Sequence, residues 1–88
     1  MFTSRIIELT PYQQKIARYM VEKEIKKARE NLSFVQDRYD HWDQITDERI
    51  LKRYTREQYK ENYIDHWDLE ISRLTEKLDR INAGYDFE

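Results

Sequence analysis

Two stretches of this chain space their apolar residues by alternating intervals of three and four. The first runs Val21, Ile25, Ala28, Leu32, Val35, Tyr39, Trp42, and the second runs Ile64, Trp67, Ile71, Leu74, Leu78, Ile81, Tyr85. Such a repeat is the seam of a coiled coil, where every seventh residue returns to the same line along a helix. A strand cannot use it, because its side chains alternate with a period of two. Pro11 and Gly84 are the only proline and glycine in 88 residues. So few turn formers, together with this periodicity, predict an all-α domain rather than a sheet.

Capping signals set the boundaries. Thr10 can serve as an N-cap, with Pro11 at the first helical position and Gln13 three residues on, which predicts a first helix over 11–43. Thr46 can cap again. Asp47 and Glu48 suit a first turn and Lys52 and Arg53 a last one, so a short connecting helix is expected over 47–54. Thr55 with Gln58 repeats the capping box and opens a helix over 56–83, with Gly84 as the left-handed cap. Residues 2–9 read as extended, with Phe2, Ile6 and Leu9 facing another surface. The last few residues are expected to fray.

The two seams have equal length, so residues 1–88 are expected to form one domain, an antiparallel, coiled-coil-like helical hairpin. Matching the seams end to end pairs Val21 with Tyr85, Ile25 with Ile81, Ala28 with Leu78, Leu32 with Leu74, Val35 with Ile71, Tyr39 with Trp67 and Trp42 with Ile64. The same register sets Arg38 across from Glu70, a surface pair worth under about 1 kcal/mol. Tyr12, Ile16, Tyr19 and Met20 extend an apolar face upstream. Ile16, Met20, Phe34, Ile45, Leu51, Tyr63 and Leu69 lie off the seam and need cover. A lone hairpin buries little more than it must to offset chain entropy. A homodimer forming a helical bundle is therefore expected.

Composition narrows the chemistry. Charged residues make up 39% of the chain, far above the usual quarter, yet the formal net charge is only −2. There is no cysteine, so disulfides, thiolate metal sites and thiol catalysis are excluded. No apolar run is long enough to span a membrane, and the opening MFTSRIIELT lacks the apolar core of a signal peptide. A cytoplasmic protein without membrane contact is expected. Ser4, Ser33 and Ser72 have no nucleophile elbow or glycine-rich setting, and no phosphate-cradling loop occurs. The chain is not expected to be an enzyme or to carry a cofactor.

One tetrapeptide occurs twice, as Asp40-His41-Trp42-Asp43 and Asp65-His66-Trp67-Asp68. The expected register sets the two copies face to face. Both tryptophans fall on the seam and read as core aromatics. Asp37 and His41, like His66 and Glu70, stand four apart on one helix face and could hold a divalent cation. Both histidines, however, sit at the outward position beside a seam tryptophan and project apart, so no metal site is expected.

Charge comes in blocks. Residues 11–29 carry six basic and two acidic side chains, 30–48 six acidic and one basic, 49–60 five basic and one acidic, and 61–72 four acidic and none basic. Lys15, Arg18, Lys23, Lys26, Lys27 and Arg29 read as a solvated helix face, partly matched by a Glu22–Lys26 pair. At the connecting tip, Arg49, Lys52, Arg53, Arg56 and Lys60 interleave with Tyr54 and Tyr59, the chemistry that tracks phosphates and stacks bases. The plainer reading is a solubilising cap whose tyrosines pack locally. Asp37, Asp40, Asp43, Asp47, Asp65 and Asp68 form an acidic array that could occupy a basic groove on a partner. These basic, aromatic and acidic residues are the candidates for partner binding.

A small helical module that acts by binding a partner protein is the expectation. No motif ties the chain to a known family. In size and composition alone it is similar to accessory proteins of phages and mobile elements, which suggests a regulator, adaptor or inhibitor. A nucleic-acid-associated protein using the tip 49–60 is the first alternative, although no helix-turn-helix signal supports it. A structural coiled-coil component of an assembly is the second.

Overall fold

The computed structural model describes residues 5–87. Phe2 lies outside the described residues, as do the other positions before Arg5 and Glu88. The chain runs β1 (Ile6–Glu8), α1 (Pro11–Asp40), a 3-10 turn (Trp42–Gln44), α2 (Glu48–Arg53), α3 (Arg56–Tyr59), a π-helical turn (Lys60–Ile64), α4 (Asp65–Asn82) and β2 (Tyr85–Phe87). The fold is all-α in class, built on a long helix pair, α1 and α4, packed against each other.

The helix starts follow from their caps. Thr10 Oγ1 accepts from the Gln13 N–H at 3.2 Å while Gln13 Oε1 accepts from the Thr10 N–H at 3.0 Å. Thr55 and Gln58 repeat the reciprocal pair at 3.2 and 2.9 Å. Asp47 rather than Thr46 caps α2, its carboxylate accepting from the Arg49 N–H at 3.0 Å. An ionised acceptor makes a stronger bond to an orphan N–H than a hydroxyl does. Helix α1 stops at Asp40, short of 43. The chain then tightens into the 3-10 turn that carries Trp42 toward the connecting end.

Two clusters make the core. Val21, Ile25, Ala28, Leu74 and Ile81 form one, with Leu9, Ala17, Trp67, Ile71 and Leu78 against it. Val35, Tyr59 and Ile64 form the other, with Leu32, Tyr39, Trp42, Ile50, Tyr54, Tyr63 and Trp67 around them. The N-terminal part of α1 therefore meets the C-terminal part of α4, and the helices run in opposite directions.

Their register differs from the end-to-end match. Val35 shares a cluster with Ile64, one heptad nearer the connection than Ile71. Gln14 Nε2 donates to the Ile81 carbonyl at 2.9 Å, and Arg18 Nε to Asn82 Oδ1 at 2.8 Å. Ile81 is thus held at the level of Gln14–Arg18 rather than Ile25. Trp42 packs on Tyr59, ring centroids 5.3 Å apart, so the two Asp-His-Trp-Asp copies are offset along the pair. Arg38 lies over the Phe34 ring at 4.7 Å, while Glu70 pairs with Arg73 at 3.5 Å.

The first and last described segments are tied together, so Tyr85–Phe87 is ordered as a strand instead of frayed. Glu8 pairs with Tyr85, Ile7 with Asp86 and Ile6 with Phe87 in an antiparallel ladder, which removes Tyr85 from the helical seam. Gly84, at φ 95°, makes the turn out of α4, and its carbonyl accepts from the Leu9 N–H at 2.9 Å. Two strands of three residues are marginal alone. Arg80 braces them, its guanidinium 5.0 Å over the Phe87 ring and 3.4 Å from the Asp86 carboxylate.

The result is a slab 51 Å long, 31 Å wide and only 16 Å thick. Tyr12, Tyr19 and Met20 on α1 and Leu69 on α4 are left more than half exposed. Globular domains normally stack a second layer on the first. Among the described residues, the outer faces of α1 and α4 have none.

Candidate interaction surfaces

The connecting end gathers the basic candidates around an aromatic core. Tyr59, one of the partner-binding candidates, is only 4% exposed. Its ring lies 5.3 Å from Trp42 and 4.8 Å from Tyr63. Tyr54 is half-buried, and its hydroxyl accepts a hydrogen bond from the Tyr63 hydroxyl at 3.2 Å. That bond needs the neutral phenol, so Tyr63 holds its proton above the ordinary tyrosine range, with burial adding to the effect. Arg56 stacks over Tyr39 at 4.5 Å. Arg49 bonds Asp47 at 3.4 Å and Lys52 pairs with Glu48 at 3.6 Å. The Arg49 backbone N–H is the main reason the Asp47 carboxyl is held below its usual value. Arg53 and Lys60 are exposed and enter none of the ion pairs among the described residues.

Arg38, Arg49, Lys52 and Arg53 surround an open concavity of about 720 Å³, with Asp47, Ile50, Tyr54 and Tyr63 completing its wall. Four cations face one carboxylate there. Arg56 and Lys60 do not line it.

The acidic candidates are spread over several elements. Asp37 lies 3.2 Å from His41 Nδ1, and Asp40 accepts from Gln36 Nε2 at 3.0 Å, so the end of α1 satisfies both. Asp43 sits in the 3-10 turn, Asp47 caps α2, and Asp65 and Asp68 open α4. All but Asp47, which is half-buried, are exposed. His66 meets the edge of Trp67 at 5.2 Å. No group of three His, Asp or Glu side chains shares a cation-sized space among the described residues.

A second surface was only half visible in the sequence. Tyr12, Ile16, Tyr19 and Met20 are 73, 42, 66 and 56% exposed. At 3.6 residues per turn they point away from the line of Val21, Ile25 and Ala28 that meets α4. Phe34 lies farther along the same side at 59%. Lys15, Lys23, Lys26 and Lys27 border the four residues, and none of them enters an ion pair among the described residues; the expected Glu22–Lys26 pair is not made. The sequence shows this row as apolar residues beyond the seam. Only the packing shows that nothing among the described residues covers it.

No helix among the described residues is long and apolar enough to cross a membrane. No protein-family model, curated protein or solved structure matches the chain.

Proposed function

We propose that this chain is a small protein-interaction module, a regulator, adaptor or inhibitor, that presents the outer face of α1 to a partner protein. One observation carries the reading. Four large apolar side chains, 42–73% exposed, stand in a row on the side of α1 opposite α4. Fully burying a side chain of that size contributes roughly 1.5–3 kcal/mol, and isolated exposed residues do not line up in this way. In this reading the two long helices serve as a rigid antiparallel hairpin, and the module works by binding rather than catalysis.

The test compares affinity capture by the native chain and by the Ile16→Asp/Met20→Asp variant. Both sites are exposed, so helicity and unfolding midpoint should be preserved. A partner held by the native chain and lost by the variant supports the reading. A partner held equally by both overturns it.

The concavity at the connecting end favours a second reading, nucleic-acid association through Arg38, Arg49 and Arg53. It predicts salt-dependent binding of single-stranded DNA or RNA that Arg49→Ala/Arg53→Ala abolishes. A third feature favours self-association. A groove of about 530 Å³ beside the seam is floored by Ile25 and Leu78, so one flank of the core is thinly covered. Two copies closing that flank into a bundle would double the 11.0 kDa mass in solution.

A further inference from the structure

We infer that the element received by the outer face of α1 is an amphipathic helix with acidic flanks, belonging to a different protein. This rests on the reading above and specifies the partner's chemistry.

The shape of the face comes first. Tyr12, Ile16 and Met20 are spaced by four and form one i±4 ridge, with Tyr19 beside it. Such a ridge packs into the groove of a helix crossing at about −50°. From Tyr12 to Met20 the ridge runs about 12 Å, two helical turns. Glu24 is the next residue on that row, with Lys23 and Lys27 beside it. That length suits one crossing helix and is too short for a parallel coil along the 30 residues of α1.

Charge selects the occupant. Lys15, Lys23, Lys26 and Lys27 border the ridge without a carboxylate in ion-pair range. Tyr19, Glu22, Lys23 and Lys26 line a shallow hollow on one flank, and Glu24 follows Met20 on the ridge row, so two carboxylates stand against four lysines. The rim is net positive and calls for carboxylates. A second copy turned about a two-fold axis brings the same lysines against one another, which disfavours self-pairing here. An anionic lipid surface meets a different obstacle. Glu30 and Asp37 follow on the same side of this long helix and would be pressed into the headgroups.

The experiment uses the full chain and designed helical peptides. One carries leucines spaced by four with glutamates on both flanks, and a second is identical except for lysine flanks. Amide shifts across the protein report binding. The glutamate peptide should move signals over Tyr12–Lys27, bind about tenfold tighter than the lysine peptide, and weaken with added salt. Lys23→Glu/Lys27→Glu should reverse the preference, and Ile16→Asp should remove binding. Equal affinity for the two peptides overturns the acidic partner, as does binding only to phosphatidylserine vesicles or a doubled mass lost on Ile16→Asp. Shifts confined to the connecting end also overturn it. The capture assay separates the two levels. A partner lost on Ile16→Asp/Met20→Asp but indifferent to Lys23→Glu/Lys27→Glu refutes this inference alone. A partner indifferent to both refutes the docking face itself.

Discussion

Tyr59 and Ile64 are buried in the same cluster although they stand five positions apart. In a regular α-helix five positions turn a side chain about 140° away. The π-helical turn resolves this. The Asp65 N–H donates to the Lys60 carbonyl, an i→i+5 bond that takes up the extra residue and keeps both side chains toward α1. Deleting exposed Asn62 should then be tolerated, because Tyr59 and Ile64 become an ordinary i,i+4 pair. The thermal midpoint should stay within about 4–8 °C of the native chain, a change of roughly 1 kcal/mol. Deleting exposed Glu76 from α4 should abolish cooperative unfolding, since it rotates Leu74 away from Leu78 and Ile81. Equal damage from the two deletions would argue against an absorbed insertion.

The same turn explains why the heptad reading leaves Tyr59 off the seam. The heptad reading begins at Ile64, and counting back in threes and fours never reaches Tyr59. The capping boxes at Thr10 and Thr55 could be read directly, because cap chemistry is local. So could the buried line from Val21 to Val35. Register could not, because a seven-residue repeat fits equally well after sliding by seven. Arg38 with Glu70 was too weak a pair to choose, and the aromatic packing of Trp42 on Tyr59 fixes the outcome from the connecting end. The pairing of Ile6–Glu8 with Tyr85–Phe87 joins segments far apart in sequence, which no local pattern announces. The exposed ridge of α1 was legible as apolar residues. Its lack of cover is a tertiary fact.

Ile81 and Leu69 lie about 120° apart around α4 and should answer truncation differently. Ile81 has no exposed surface, while Leu69 is 64% exposed. Ile81→Ala should cost about 2–5 kcal/mol through lost burial and the cavity left behind. Leu69→Ala should stay within about 0.5 kcal/mol. Urea denaturation of both variants measures the difference, and similar midpoints would contradict this placement of the core.

Tyr63 links the connecting end to alkaline pH. Its folded pKa is raised, chiefly because its proton is shared with Tyr54. A raised acid binds its proton more tightly in the folded state. The stabilisation is therefore complete below the unfolded tyrosine value near 10 and is lost as pH climbs through the folded one. Spectrophotometric titration should show one tyrosine ionising late, and Tyr63→Phe should remove that late step. The native chain's excess stability over Tyr63→Phe should shrink above about pH 10. A late step that survives Tyr63→Phe would assign it elsewhere.

Gly84 separates backbone strain from packing. Its φ of 95° lies in the left-handed region, and a Cβ built there meets nothing within 4 Å. An L-alanine at this position should cost about 1–2 kcal/mol from the backbone alone, because no neighbour has to move. D-alanine prefers positive φ and narrows the unfolded ensemble. It should therefore match glycine or stabilise the fold by about 0.4–1 kcal/mol. A chain of 88 residues can be assembled from synthetic segments, which makes the comparison practical. The turn sets the pairing of Leu9 with Gly84 and of Glu8 with Tyr85, so the L-alanine chain should also exchange its Leu9 amide faster. Equal stability of the L and D chains would mean that the left-handed turn is not what joins α4 to β2.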